Sequence, residues 1–196
     1  IEKSLLSINT WDISKLWIRD HYVDENMALH ERGEMVLEYN DKGEPHWKML
    51  EDRRQDEATG KWTPITMAAD ETLNASRLDE LKSALGELQI VDVERKPEGL
   101  SADLKASEDF VKSQQSAQAL VNRGFFLSKL GSGYELFSNN GEVRCTLNDG
   151  VEYILRFGDI AFGSSAAGAA GEKAKEAKEG AEKTAEKKGP GVNRYL

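Results

Sequence analysis

The sequence predicts an α+β fold, with antiparallel strands in one or two sheets, two main helices packed on a face, and a flexible Ala/Glu/Lys-rich segment. Three observations predict it. Period-two alternation of apolar residues recurs in the first and last parts of the body. A leucine repeat at helical spacing lies between them, and Asn-Gly and Asp-Gly pairs punctuate the third part.

Taken in order, "ISKLWIRDHY" from Ile13 to Tyr22 places Leu16, Ile18 and Tyr22 on one side and Trp17, Arg19 and His21 on the other. That alternation is the mark of a half-buried strand. "EMVLEY" repeats it, with Met35, Leu37 and Tyr39 against Val36 and Glu38, and Asp41-Lys42-Gly43 supplies a turn before "HWKMLE". These three stretches read as an antiparallel meander, and "GKWTPI" adds a short fourth strand. Asp70 is the expected N-cap of a helix in which Leu78, Leu81, Leu85 and Leu88 recur on one face. "IVDVERKP" is then expected as a strand stopped by Pro97. Ser107, followed by Glu108 and Asp109, opens a second helix that buries Phe110, Val111, Leu120 and Val121 and ends near Gly124. "FFLSKL", "YELF", "EVRCTL" and "VEYILRF" are strands, with hairpins expected at Asn139-Asn140-Gly141 and Asn148-Asp149-Gly150. Cys145 shares a face with Val143 and Leu147, so it is expected in the core rather than as a nucleophile.

The chain has 196 residues and 39% hydrophobic content, enough for one ordinary core. The expected organisation is an α+β domain over 1–162, or two small modules over 1–96 and 97–162 sharing a sheet. A low-complexity insertion over 163–191 follows, and 192–196 starts a resumed strand. The formal charge is −9. An acidic body repels phosphate backbones, so no nucleic acid partner is expected. No apolar run approaches the ~20 residues of a membrane span. Since the chain begins at Ile1, any membrane attachment is expected only through an N-terminal anchor outside this segment.

The insertion has good intrinsic helix formers and nothing larger than Ala to bury between Glu172 and Lys188. Attractive i,i+4 pairs such as Lys175–Glu179 are matched by repulsive ones such as Glu172–Glu176, and Gly180 adds a cost of about 1 kcal/mol. A fluctuating, solvated linker is expected there. Without an apolar seam it is not a coiled-coil arm.

Trp62, Pro64 and Asp70, the leucine helix after them, Glu98-Gly99-Leu100, and the Asp149-Gly150 hairpin ending in Phe157-Gly158 together carry a resemblance. Over roughly Trp11 to Gly163 the chain resembles a domain-of-unknown-function family found in gliding-motility-associated ABC-transporter auxiliary proteins and other bacterial envelope proteins. The resemblance implies an extracytoplasmic protein tethered to the inner membrane by an N-terminal helix, with a protein partner, transporter subunits among the candidates. It also implies that the Ala/Glu/Lys run is an insertion between two strands, "NRYL" beginning the second. It transfers no catalytic residues.

Spacing offers little chemistry. His21, His30 and His46 have no metal-ligand spacing, and no cysteine pair or His-Glu-x-x-His motif occurs, so no metal or cofactor is expected. Asp20, Asp24 and Glu25 read as a solvated acidic edge, because the spaced acidic loop of a cation site is missing. Gly131-Ser132-Gly133 lacks the Lys-Ser/Thr of a phosphate loop and reads as a tight turn. What remains is aromatic. Trp17 lies opposite Leu16 and Ile18, and becomes core if helices cover that face, the commoner outcome. If the face is open, Trp17, Arg19 and His21 form an interaction surface for a partner or a glycan. The leading expectation is therefore a non-enzymatic accessory or binding module of the cell envelope. Its alternatives are a hydrolase with a fold-assembled carboxylate site and a structural spacer.

Overall fold

The computed structural model describes residues 3–24, 26, 28–93, 95–101, 105–130, 133–161 and 193–196. The expected 163–191 linker, Glu25 and the Gly131-Ser132 part of the expected turn lie outside the described residues.

Alternation in the N-terminal part produces the meander: β1 (Ile13–Val23), β2 (Leu29–Tyr39), β3 (Trp47–Gln55) and β4 (Trp62–Pro64) pair antiparallel in sequence. Helix α1 (Ala75–Gly86) follows. Further on come β5 (Lys105–Ala106), α2 (Glu108–Lys112), α3 (Gln114–Val121), β6 (Phe125–Leu130), β7 (Gly133–Ser138), β8 (Glu142–Leu147) and β9 (Glu152–Arg156). The large sheet has the order β4-β3-β2-β1-β8-β9, and a small one the order β5-β7-β6. The fold is α+β, and its large sheet combines strands from both sides of residue 96.

One face of the large sheet is apolar. Leu16, Leu37, Trp47, Cys145 and Leu155 are buried there with Leu85 of α1, and Leu78, Leu81 and Leu88 pack against them. The small sheet has its own core, in which Phe110 and Leu120 of the two short helices meet Phe125 and Leu136. Burying a side chain of this size is worth about 1.5–3 kcal/mol, so these two clusters dominate the folding energy.

Several expectations need correction. The cap of α1 is Asn74, whose side chain accepts from the Arg77 N–H, and not Asp70. The second helix is broken at Ser113, which ends α2 and caps α3 through the Ser116 N–H. "IVDVERKP" forms no strand in its described residues. Its described backbone bonds, Ile90 N to Lys3 O, Val93 N to the Asp92 carboxylate and Leu100 N to Pro97 O, pair it with no strand, and Val91 and Val93 are exposed. Asn139-Asn140-Gly141 is a turn, with Gly141 at φ 90°, but it is not a hairpin. It carries the chain from β7 in the small sheet to β8 in the large one. The Asn148-Asp149-Gly150 turn does close a hairpin, through Leu147 N to Val151 O at 2.8 Å.

After β9, Gly158 N and Ala161 N donate to the carbonyls of Tyr195 and Asn193, both at 2.9 Å, and Tyr195 N returns a bond to Asp159 O at 3.1 Å. Ala161 and Asn193, the described residues on either side of 162–192, thus lie side by side.

Candidate functional site on the open sheet face

Trp17 and Arg19 point away from the core, to a face of the large sheet that shares in neither apolar cluster. Both are half-buried, so Trp17 is not a core residue under a helix. Two register shifts assemble the rest of this face. Arg32 is an extra residue in β2, so that His21 pairs with Glu31 where Asp20 pairs with Gly33. Leu50 is extra in β3, so that Leu37 pairs with Met49 while Val36 pairs with Glu51. A one-residue bulge reverses which side chains face the core. Trp47 and Met49 therefore point inward, and Glu51 and Arg53, two and four residues further on, join Glu34 and Trp17 outside.

The outward side chains form a continuous chain of contacts across the sheet. The Arg53 guanidinium lies 5.3 Å from the Trp62 ring centroid and donates to Glu34. The second Glu34 oxygen accepts from the Trp17 indole N–H. Arg53 Nε sits 2.7 Å from Glu51 Oε1 in an ion-pair contact without hydrogen-bond alignment. On the other side of Trp17, the Arg144 guanidinium covers the ring at 4.4 Å and its Nε donates to Glu142 at 2.9 Å. Glu142 also accepts from Arg156 Nε at 2.8 Å, and Arg156 reaches Glu135 of β7 at 2.7 Å. The run thus crosses from β4 to β9 and into the small sheet. Arg19 pairs with Glu31 beside it.

Between the two tryptophans this network leaves a cleft of about 300 Å³, lined by Trp17, Arg19, Glu31, Glu34, Arg53 and Trp62. A second cleft, of about 230 Å³, lies at the other end of the sheet, where Trp11 is 64% exposed beside Tyr39, Asn40 and Asn148.

His21 does not belong to the surface. Although it shares the strand face of Trp17, it is only 3% exposed, because the end of β7 lies over it and Ser138 O is 2.8 Å from its Nε2. A carbonyl only accepts, so Nε2 carries the proton, while Nδ1 is buried without a partner. Burial is the main influence on this imidazole and pushes its pKa down; Arg19 adds to that, while the Ser138 bond, Glu142 and Asp20 oppose it. His30 and His46 have separate partners, the Asp24 carboxylate and the Asn40 carbonyl, both at 3.0 Å. Among the described residues no three His, Cys, Asp or Glu side chains are grouped to hold a metal ion.

Of the expected surface, then, Trp17 and Arg19 are brought together and His21 is not. The residues that complete the cleft were not singled out by spacing. Only the opposite charges of Glu34 and Arg53 on adjacent meander strands hinted at them. Compared with known protein families, with characterised proteins and with solved structures, the chain has no significant match.

Proposed function

We propose that this chain is a non-enzymatic accessory or binding module of the bacterial cell envelope, acting beside an ABC-type transporter through the open face of its large sheet. The observation that carries the binding reading is the cleft between Trp17 and Trp62, uncovered by either apolar cluster and walled by side chains that fix one another. Tryptophan and arginine are the residue types that contribute most energy at recognition surfaces. Mutual pairing lowers the entropy lost when such side chains engage a ligand. The envelope location, the tether and the transporter partner rest on the family resemblance alone. None of the described helices is long and apolar enough to cross a membrane.

A hydrolase site would need carboxylates free to exchange protons with a substrate. Glu31 and Glu34 are each already engaged by a guanidinium, and Glu34 by an indole N–H as well, which favours binding over catalysis.

The test is a photo-crosslinking residue placed at Val36, which is half-buried on the same face, in the protein expressed in its native host. The expected outcome is capture of transporter subunits that is lost on Trp17→Ala. Capture unaffected by that change, or no capture, removes the reading.

A further inference from the structure

We infer that the cleft between Trp17 and Trp62 takes a neutral saccharide unit, an inference that rests on the binding-module reading and names its ligand class. The lining contains two guanidiniums, Arg19 and Arg53, and two carboxylates, Glu31 and Glu34, so its formal charge is zero in a chain of −9. Each of the four already faces an opposite charge. An anionic ligand would have to draw an arginine from its glutamate, and a cationic ligand a glutamate from its arginine. Either exchange leaves a half-buried charge without its partner, which is the costly outcome at an interface. A neutral ligand leaves every pair intact.

The pairs also keep hydrogen-bonding capacity in reserve. A guanidinium has five N–H donors and a carboxylate about four lone-pair sites, and the contacts at Arg19, Arg53, Glu31 and Glu34 use only some of them. The cleft lining therefore includes both donor and acceptor side chains, held in place by ion pairing. Hydroxyl groups, which donate and accept at once, suit such a mixed lining. Trp17 and Trp62 line the cleft on two sides, and since Arg144 and Arg53 each cover only one face of their ring, the remaining indole surface is what the C–H face of a sugar ring would contact. At about 300 Å³ the cleft is at the small end of the range for small-molecule sites, and so would hold a short unit of a longer glycan lying along the face.

The decisive measurement is titration of the purified chain with neutral cello-, malto- and chito-oligosaccharides, read by tryptophan emission and calorimetry. One of the three should bind saturably, with an affinity unchanged up to about 1 M salt, because no net charge is exchanged. Trp62→Ala should weaken that binding at least about tenfold, the loss of one aromatic wall, and Trp62→Phe should restore most of it. Trp62 lies in the edge strand β4, and equal melting curves of the two variants show that the loss is local. Binding restricted to acidic oligosaccharides and falling with salt overturns the inference, as does no saccharide binding. The Val36 crosslinks separate the two levels. If they depend on Trp62 while no saccharide binds, the ligand class is wrong and the binding module stands; if neither result appears, both fall.

Discussion

His21 Nε2 donates to the Ser138 carbonyl at 2.8 Å, and this buried bond ties β1 of the large sheet to the end of β7 in the small one. Its consequence is a pH-dependent stability. The folded imidazole has a pKa below the ordinary 6.5, chiefly because burial disfavours its charged form, so the unfolded chain takes up the proton first as pH falls. Stability contributed by the neutral ring is complete above 6.5, declines as pH drops below it, and is fully lost once pH passes the folded value. Asp24 and Asp56, whose carboxyls are held below 3.8 by local hydrogen bonds, act in a more acidic range and leave this window clear. Urea midpoints measured from about pH 7.5 to about pH 5 should fall for the natural chain and fall less for His21→Gln. Equal slopes for the two would refute the assignment.

Glu142 and Arg156 pair across β8 and β9 in the large sheet, and through Arg156 and Glu135 the pair makes the second bridge to the small one. Their side chains are 4% and 9% exposed, Arg156 also holds Glu135, and Glu142 also holds Arg144. Removing one member leaves the other with a single partner, Glu135 for Arg156 and Arg144 for Glu142, so the cost should fall below that of orphaning a buried charge and lie near about 1.5–3 kcal/mol, the loss of a charged hydrogen bond. Glu142→Ala should therefore lower the denaturation midpoint clearly, and Arg156→Ala comparably. A drop below about 1 kcal/mol in either would mean that solvent already reaches the pair.

Glu34 is the shared acceptor of Trp17 and Arg53, and its removal should act on shape more than on stability. Arg53 is 39% exposed and can turn to water or to Glu51, so the expected cost of Glu34→Ala is only about 1 kcal/mol. The indole of Trp17 loses its N–H partner and its fixed orientation. A changed Trp17 emission spectrum with a nearly unchanged midpoint is the expected pair of results. A large loss of stability with no spectral change would contradict it.

These groups mark where the sequence could and could not be read. Alternation in Ile13–Tyr22 placed Trp17 and Arg19 outward, because that stretch of β1 runs without interruption from Leu16. The same rule applied to β3 would send Glu51 and Arg53 to the core with Trp47 and Met49. The bulge at Leu50 reverses them, and nothing local in "HWKMLE" announces it. His21 was placed on the correct strand face, yet its burial comes from Ser138, more than a hundred residues away. The Asn-Gly turn at 140–141 was legible as a turn. What it joins was not, because β8 finds its partner in β1, where Trp17 stands opposite Arg144. Val91 and Val93 show the opposite failure: apolar alternation pointed to a strand, yet both side chains are exposed and neither residue pairs with a sheet.

Cys145 gives a reporter for the whole large sheet. It is fully buried between Leu16 of β1 and Tyr153 of β9, and burial alone pushes its thiol up to about 11. Thiol reagents attack the thiolate, which is scarce at neutral pH for such a group and also out of reach. Labelling should therefore require the strand to open. With excess reagent the labelling rate should equal the unfolding rate, and Glu142→Ala, acting on the same strand three residues away, should accelerate it. Rapid labelling of the folded chain, unaffected by that substitution, would place Cys145 in a locally opening segment and would separate β8 from the cooperative core.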